Sequence, residues 1–128
     1  MENEIKIKVL DVVSVPEGQH TGSITDVVRR DSPQGYKYID IYIKPDNLEM
    51  ERGIKYGAPA HLSKNSKLGH LLLSLGCPLI PGEELGLKER LVGKEIKFII
   101  MNEETPRGTF ARIVDDSIKL RNDILPVM

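Results

Sequence analysis

The chain has one cysteine, no long apolar run and almost no net charge, and each shortage removes a class of protein. Cys77 alone cannot close an internal disulfide, and its place between Gly76 and Pro78 makes it a small apolar plug just past a helix. The longest apolar stretches, Leu71-Leu72-Leu73 and Phe98-Ile99-Ile100-Met101, fall far short of the roughly 20 residues a membrane-spanning helix needs. Met1-Glu2-Asn3-Glu4 leads into Ile5-Lys6-Ile7-Lys8 without the basic start and apolar middle of a secretory signal, so a cytoplasmic location is expected. A net charge of -1 provides no overall field to draw in a polyanion. Any contact with one depends on local arrangement; between His20 and His70, eight Lys/Arg stand against six Asp/Glu.

Catalytic signatures are also missing. The sequence has no glycine-rich phosphate loop ending in Lys-Ser or Lys-Thr, no Gly-x-Ser-x-Gly, no His-Glu-x-x-His and no paired-cysteine zinc pattern. His20, His61 and His70 are far apart, and with Cys77 they show no ligand spacing. The acidic pairs Glu83-Glu84, Glu103-Glu104 and Asp115-Asp116 are adjacent, so in extended chain their carboxylates point opposite ways. A metal-dependent hydrolase using Asp26 and Asp40 would rest on nothing more specific than two aspartates on neighbouring strands. The expectation is therefore a non-enzyme without metal or cofactor.

What is present is strand patterning. With 40% apolar and 29% charged residues, 128 residues suit one globular domain. Ile5 to Val15 reads as a leading strand or arm that ends at Pro16-Glu17-Gly18. Gln19 to Arg30 is rich in β-formers and predicts a strand bent at Gly22, with Ile24 and Val28 on one side and Val27 and Arg29 on the other. Asp31-Ser32-Pro33-Gln34-Gly35 makes a loop. Tyr36 to Lys44 is the clearest strand, Ile39, Ile41 and Ile43 facing one way and Tyr38, Asp40 and Tyr42 the other. A third strand from about Arg52 to Leu62 puts Ile54, Tyr56, Ala58, Ala60 and Leu62 on its apolar face, with Pro59 demanding an unpaired or bulged side.

The period then changes. Leu68, Leu71, Leu72 and Leu75 predict a short helix capped by Ser63, Asn65 or Ser66 and stopped by Gly76, and a second helical turn or two fits Glu83 to Leu91. Ile96, Phe98 and Ile100 restart strand alternation, which passes a polar turn at 102–108 and returns from Thr109 to Val114. Three strands, a helix and two strands is the element order of the five-stranded Greek-key OB-fold. The expected class is all-β with one or two short helices, in an OB-like barrel. It divides into an N-terminal strand or arm (1–17), the barrel (18–114, helix near 66–75) and a C-terminal extension (115–128).

Four runs carry a resemblance: Gly22-Ser23-Ile24-Thr25-Asp26-Val27, Tyr38-Ile39-Asp40-Ile41, Asn65-Ser66-Lys67-Leu68-Gly69, and Gly108-Thr109-Phe110-Ala111-Arg112. Over roughly residues 18–114 the chain resembles small single-stranded-DNA-binding proteins of phages, archaea and mobile elements, by spacing and element order. That resemblance implies DNA before RNA as ligand and a role in replication or repair.

On the residues themselves, Tyr38 and Tyr42 share a strand face about 13 Å apart, Tyr36 extends the row, and the three isoleucines already fill the core. The rings suit base stacking. Arg29, Lys44, Arg52, Lys55, Arg107 and Arg112 are the expected phosphate contacts, and Asp40, lying between the tyrosines, would repel a phosphate. The rival expectation is a protein-interaction module or oligomer, in which the tyrosine face or the apolar Ile124, Leu125 and Val127 dock on a partner or a second copy.

Overall fold

Alternation between isoleucine and polar residues makes Lys37–Pro45 an interior strand, β2, of a sheet, with Ile39, Ile41 and Ile43 all buried. The computed structural model describes residues 4–7 and 15–121. Before β2 runs β1 (Gly18–Asp31), and after it come β3 (Ile54–Pro59), α1 (Lys67–Ser74), α2 (Leu87–Leu91), β4 (Glu95–Thr105), β5 (Gly108–Ile113) and β6 (Lys119–Leu120). The architecture is mostly β with two helices. All strand pairs are antiparallel, in the order β3-β2-β1-β4-β5, and β6 adds to β4. The end strands of that path, β3 and β5, lie close to each other without a hydrogen-bonded ladder among the described residues.

Strand β1 changes partner along its length. Gly18 to Ser23 pair with β4, and Gly22 to Asp31 pair with β2. The changeover is built around a bulge: Ile24 stands opposite Ile43 and Asp26 opposite Tyr42, leaving Thr25 as the extra residue. Local side chains stabilise it, because the Thr25 hydroxyl donates to the Tyr42 carbonyl (3.3 Å) and the Asp26 carboxylate accepts from the Val27 amide (2.8 Å). The backbone of Ile24 leaves β4 as well, donating to Lys94 O (3.0 Å) and accepting from Gly93 N (2.8 Å).

The sequence places the irregularity at Gly22, three residues too early, and continues the alternation unbroken. An extra residue reverses the side-chain phase beyond it, so Val27 rather than Val28 joins Ile24 in the core. Gly22 has a different task. It is paired on both edges, with Pro45 and Ile96, and a Cβ there would lie 2.3 Å from the Lys44 carbonyl oxygen.

Helix α1 forms where the leucine spacing predicts it. The Ser66 hydroxyl caps it by accepting from Gly69 N (2.9 Å), while Leu68, Leu71 and Leu72 are buried. At its end Gly76 takes φ +78°, and Cys77 N donates to Leu72 O (2.9 Å), an arrangement that closes the last turn and buries Cys77. The second helix is shorter than its apolar pattern predicts, five residues with Leu91 fully buried.

Strand β3 is also shorter than expected. It stops at Pro59, which has no N–H to continue a ladder, so Ala60 and Leu62 are exposed rather than inward. The expected polar turn at 102–108 is mostly strand: β4 runs to Thr105, pairs with Gly108 and leaves only Pro106-Arg107 as the turn. Charged residues outside the core hide such a ribbon from apolar periodicity. Past Val114 the chain still belongs to the sheet, with Ile118 buried and β6 on β4.

Tyr56 fastens this last stretch. It is buried under α1, with Lys67 Nζ 4.5 Å above its ring and 3.4 Å from Asp115 Oδ1. Burial pushes its phenol above the ordinary 10.0, and the charges of Asp115 and Asp116 raise it further. The expected leading strand at 5–15 falls mostly outside the described residues; Ile5 and Ile7 are exposed outside any strand, and Val15 is buried. No helix among the described residues is long and apolar enough to cross a membrane.

Gly22→Ala forces a methyl group against the β2 backbone and is expected to lower stability by about 1–3 kcal/mol. Urea unfolding should show a lower midpoint with an unchanged slope, and a wild-type midpoint would contradict this packing.

Candidate functional site

The polar side of β2 forms the middle of an outward face. Tyr38, Asp40, Tyr42 and Lys44 alternate with the buried isoleucines, flanked on β1 by Arg30, Val28 and Asp26 and on β3 by Pro59, Gly57 and Lys55. Tyr38 and Tyr42 are half-buried, and Tyr36, 65% exposed, stands just before β2 with its amide donating to Ser32 Oγ (3.0 Å).

Each ring on β2 is covered by a guanidinium. Arg30 Cζ lies 4.6 Å from the Tyr38 ring centroid, and Arg52 Cζ lies 4.3 Å from that of Tyr42, both in cation–π range. The two guanidiniums are held differently. Arg30 makes a two-point ion pair with Asp40, Nε to Oδ2 at 2.7 Å and Nη2 to Oδ1 at 3.2 Å. Arg52, in the bend before β3, has no carboxylate partner among the described residues.

Asp40 is therefore not the exposed negative charge that its position in the alternation predicts. It is 2% exposed and is the buried polar residue of the described core. Opposite it on β3 is Gly57, where a Cβ would lie 3.1 Å from Asp40 Oδ1 and 3.8 Å from Arg30 Nη2, so the missing side chain leaves room for the pair. Donation to the Asp40 carboxylate raises the Arg30 pKa above its ordinary value, opposed by desolvation. Three more exposed acids also have cationic partners, Asp26 meeting Lys88 (3.7 Å) and Asp46 (2.7 Å) and Glu95 (3.3 Å) sharing Arg121.

The bulge relocates one expected contact. Arg29 stands opposite Ile39, out of phase with the tyrosines, and pairs with Asp31 at 3.6 Å; its neighbour Arg30 takes the place on the face. Arg30 was legible only to a reading that counted Thr25 as an extra residue. Lys44 and Lys55 lie where the alternation predicts, Lys55 directly opposite Tyr42, and neither has a carboxylate partner among the described residues. Arg107 occupies the β4–β5 turn, and Arg112 points from β5 to Glu103 (3.4 Å). Ile124, Leu125 and Val127 lie outside the described residues.

The β4–β5 ribbon has a second outward feature, since Ile99, Met101 and Phe110 are all about half exposed on one face. The histidines are scattered: His20 stacks on Phe98 with centroids 6.0 Å apart, His70 Nδ1 lies 3.6 Å from Asp116, and His61 is exposed. Among the described residues no group of three or more His, Cys, Asp or Glu is placed to hold a metal ion. No family model matches the chain, and no curated protein matches its sequence.

Because Asp40 is buried, removing Arg30 alone strands a carboxylate, whereas neutralising both partners does not. Arg30→Gln should lower the unfolding midpoint, and Arg30→Gln/Asp40→Asn should recover most of that loss. A double variant as unstable as the sum of Arg30→Gln and Asp40→Asn would show that the pair is not coupled.

Proposed function

We propose that this chain binds single-stranded nucleic acid, DNA before RNA, with little sequence preference, through the outward face of β1, β2 and β3. The observation that carries the reading is the condition of Asp40. With its charge buried and matched by Arg30, the tyrosine row is bordered by Arg30, Lys44, Arg52 and Lys55 and no unmatched acid of β1–β3 faces it. Aromatic rings accept any base by stacking, and the surrounding cations suit a phosphate backbone without selecting a sequence. The local arrangement supplies what the overall charge of -1 does not.

The strand order supports reading the fold as an OB-like barrel. In that scheme β3 and β5 close the β3-β2-β1-β4-β5 path, α1 connects the third and fourth strands, and the β2–β3 face is the habitual ligand surface. The preference for DNA, like a place in replication or repair, comes from the resemblance noted above. Arg107 and Tyr36, exposed on loops at the ends of strands, would extend the contact. Arg112 contributes less, being engaged with Glu103.

A second reading, a protein-interaction or oligomerising module, is favoured by one observation, the half-exposed Ile99, Met101 and Phe110 on the ribbon. Titrating labelled oligo-dT by fluorescence anisotropy at low and moderate salt separates the two. Binding should weaken as salt rises, with a log–log slope of about -0.7 per phosphate contact. Absence of binding at low salt would remove the nucleic-acid reading and leave the interaction module.

A further inference from the structure

The two tyrosines of β2 are dressed alike and anchored unequally, and the difference assigns them different ligand chemistry. This inference rests on the nucleic-acid reading above.

At Tyr38 the covering guanidinium is fixed from behind. Asp40 holds Arg30 at two points, is itself almost wholly buried, and sits in the gap that Gly57 leaves on β3. A base seeking that face of Tyr38 would have to break a charge-assisted pair and leave a buried carboxylate unmatched, which is strongly unfavourable. The guanidinium has donors to spare, however. Asp40 takes Nε–H and one Nη2–H, so among the described residues the Nη1 protons and the other Nη2 proton stay free, on a side chain 43% exposed. A planar cation with a free donor edge, propped on a ring and locked in orientation, is the geometry that binds a phosphate.

At Tyr42 the cover is loose. Arg52 comes from the bend before β3 and is held over the ring without a carboxylate partner among the described residues. A base can take its place on the ring while Arg52 stays charged and moves to the adjoining phosphate. Lys55, directly across the ladder from Tyr42, is placed to meet the same phosphate.

We propose that Tyr42 is the ring on which a base stacks, exchanging Arg52 for the base, and that Tyr38 is the support of a phosphate-binding Arg30 for which Asp40 is the positioning residue. Asp40 thus acts on the ligand only through Arg30.

The test compares oligo-dT with an abasic strand of the same length, by anisotropy over a range of salt. Tyr42→Ala should weaken oligo-dT binding about tenfold and leave abasic binding unchanged, because the ring contributes only where a base is present. Arg30→Gln/Asp40→Asn should weaken both strands alike and make the salt slope shallower by about 0.7, the loss of one phosphate contact. Arg30→Lys, which keeps a cation beside Asp40 and so protects folding, must also weaken both strands alike. Tyr42→Ala weakening the abasic strand as much as oligo-dT would overturn the assignment. So would an Arg30 variant that weakens oligo-dT only. Binding of neither strand by the wild-type chain is a different result, which removes the nucleic-acid reading itself.

Discussion

The unpaired Thr25 on β1 is the constraint on which the rest depends. Between Ile24 and Asp26 the strand gains one residue over its partner, and at that point it stops pairing with β4 and belongs to β2 alone. Were the alternation unbroken, Val28 would point into the core, Val27 would face solvent, and Arg29 rather than Arg30 would stand beside Tyr38. The bulge thus sets the hydrophobic register and the chemistry of the outward face together. Two short polar side chains hold it, Thr25 on the Tyr42 carbonyl and Asp26 on the Val27 amide, so one end of the device is fastened to the strand that carries the tyrosines.

From that register follows the pairing of Arg30 with Asp40. A carboxylate on the outer face of a central strand is ordinarily solvated, but here Arg30 reaches over it from β1 and Gly57 yields space on β3. The result is a face whose one deeply buried charge is matched, whose more exposed acid, Asp26, meets Lys88, and whose remaining exposed polar groups are aromatic or cationic. Its opposite, the ribbon of β4 and β5, is built from the same alternation yet exposes Ile99, Met101 and Phe110. On the ribbon Arg112, opposite Met101, is paired with Glu103, whereas Lys44, Arg52 and Lys55 beside the tyrosines have no carboxylate partner among the described residues.

Much of this was legible in the sequence wherever apolar period alone decides the outcome. The isoleucines of β2, the leucines of α1 and the alternation at Ile96, Phe98 and Ile100 behave as their spacing predicts, and of the three candidate caps Ser63, Asn65 and Ser66 it is Ser66 that caps α1. The features that were not legible share a cause: each depends on a partner distant in the chain. The bulge at Thr25 answers to β2 and to the turn at Gly93, the burial of Asp40 to Arg30 and Gly57, and the length of the ribbon to pairing between residues that bury little. The alternation points to Arg29 rather than Arg30 because a single-residue shift is invisible until the partner strand is in place. Tyr56, by contrast, reads correctly as a core residue, but nothing in the spacing announces its clasp by Lys67 and Asp115.

Intrinsic fluorescence tests the central claim most directly, because the chain has four tyrosines and no tryptophan. One of the four, Tyr56, is buried, while Tyr36, Tyr38 and Tyr42 lie on or beside the proposed face. Titration with unlabelled oligo-dT should change the tyrosine emission saturably as bases reach the rings, and the change should shrink in Tyr42→Ala. A strand that binds while the emission stays constant would place the contact elsewhere on the protein and contradict the account.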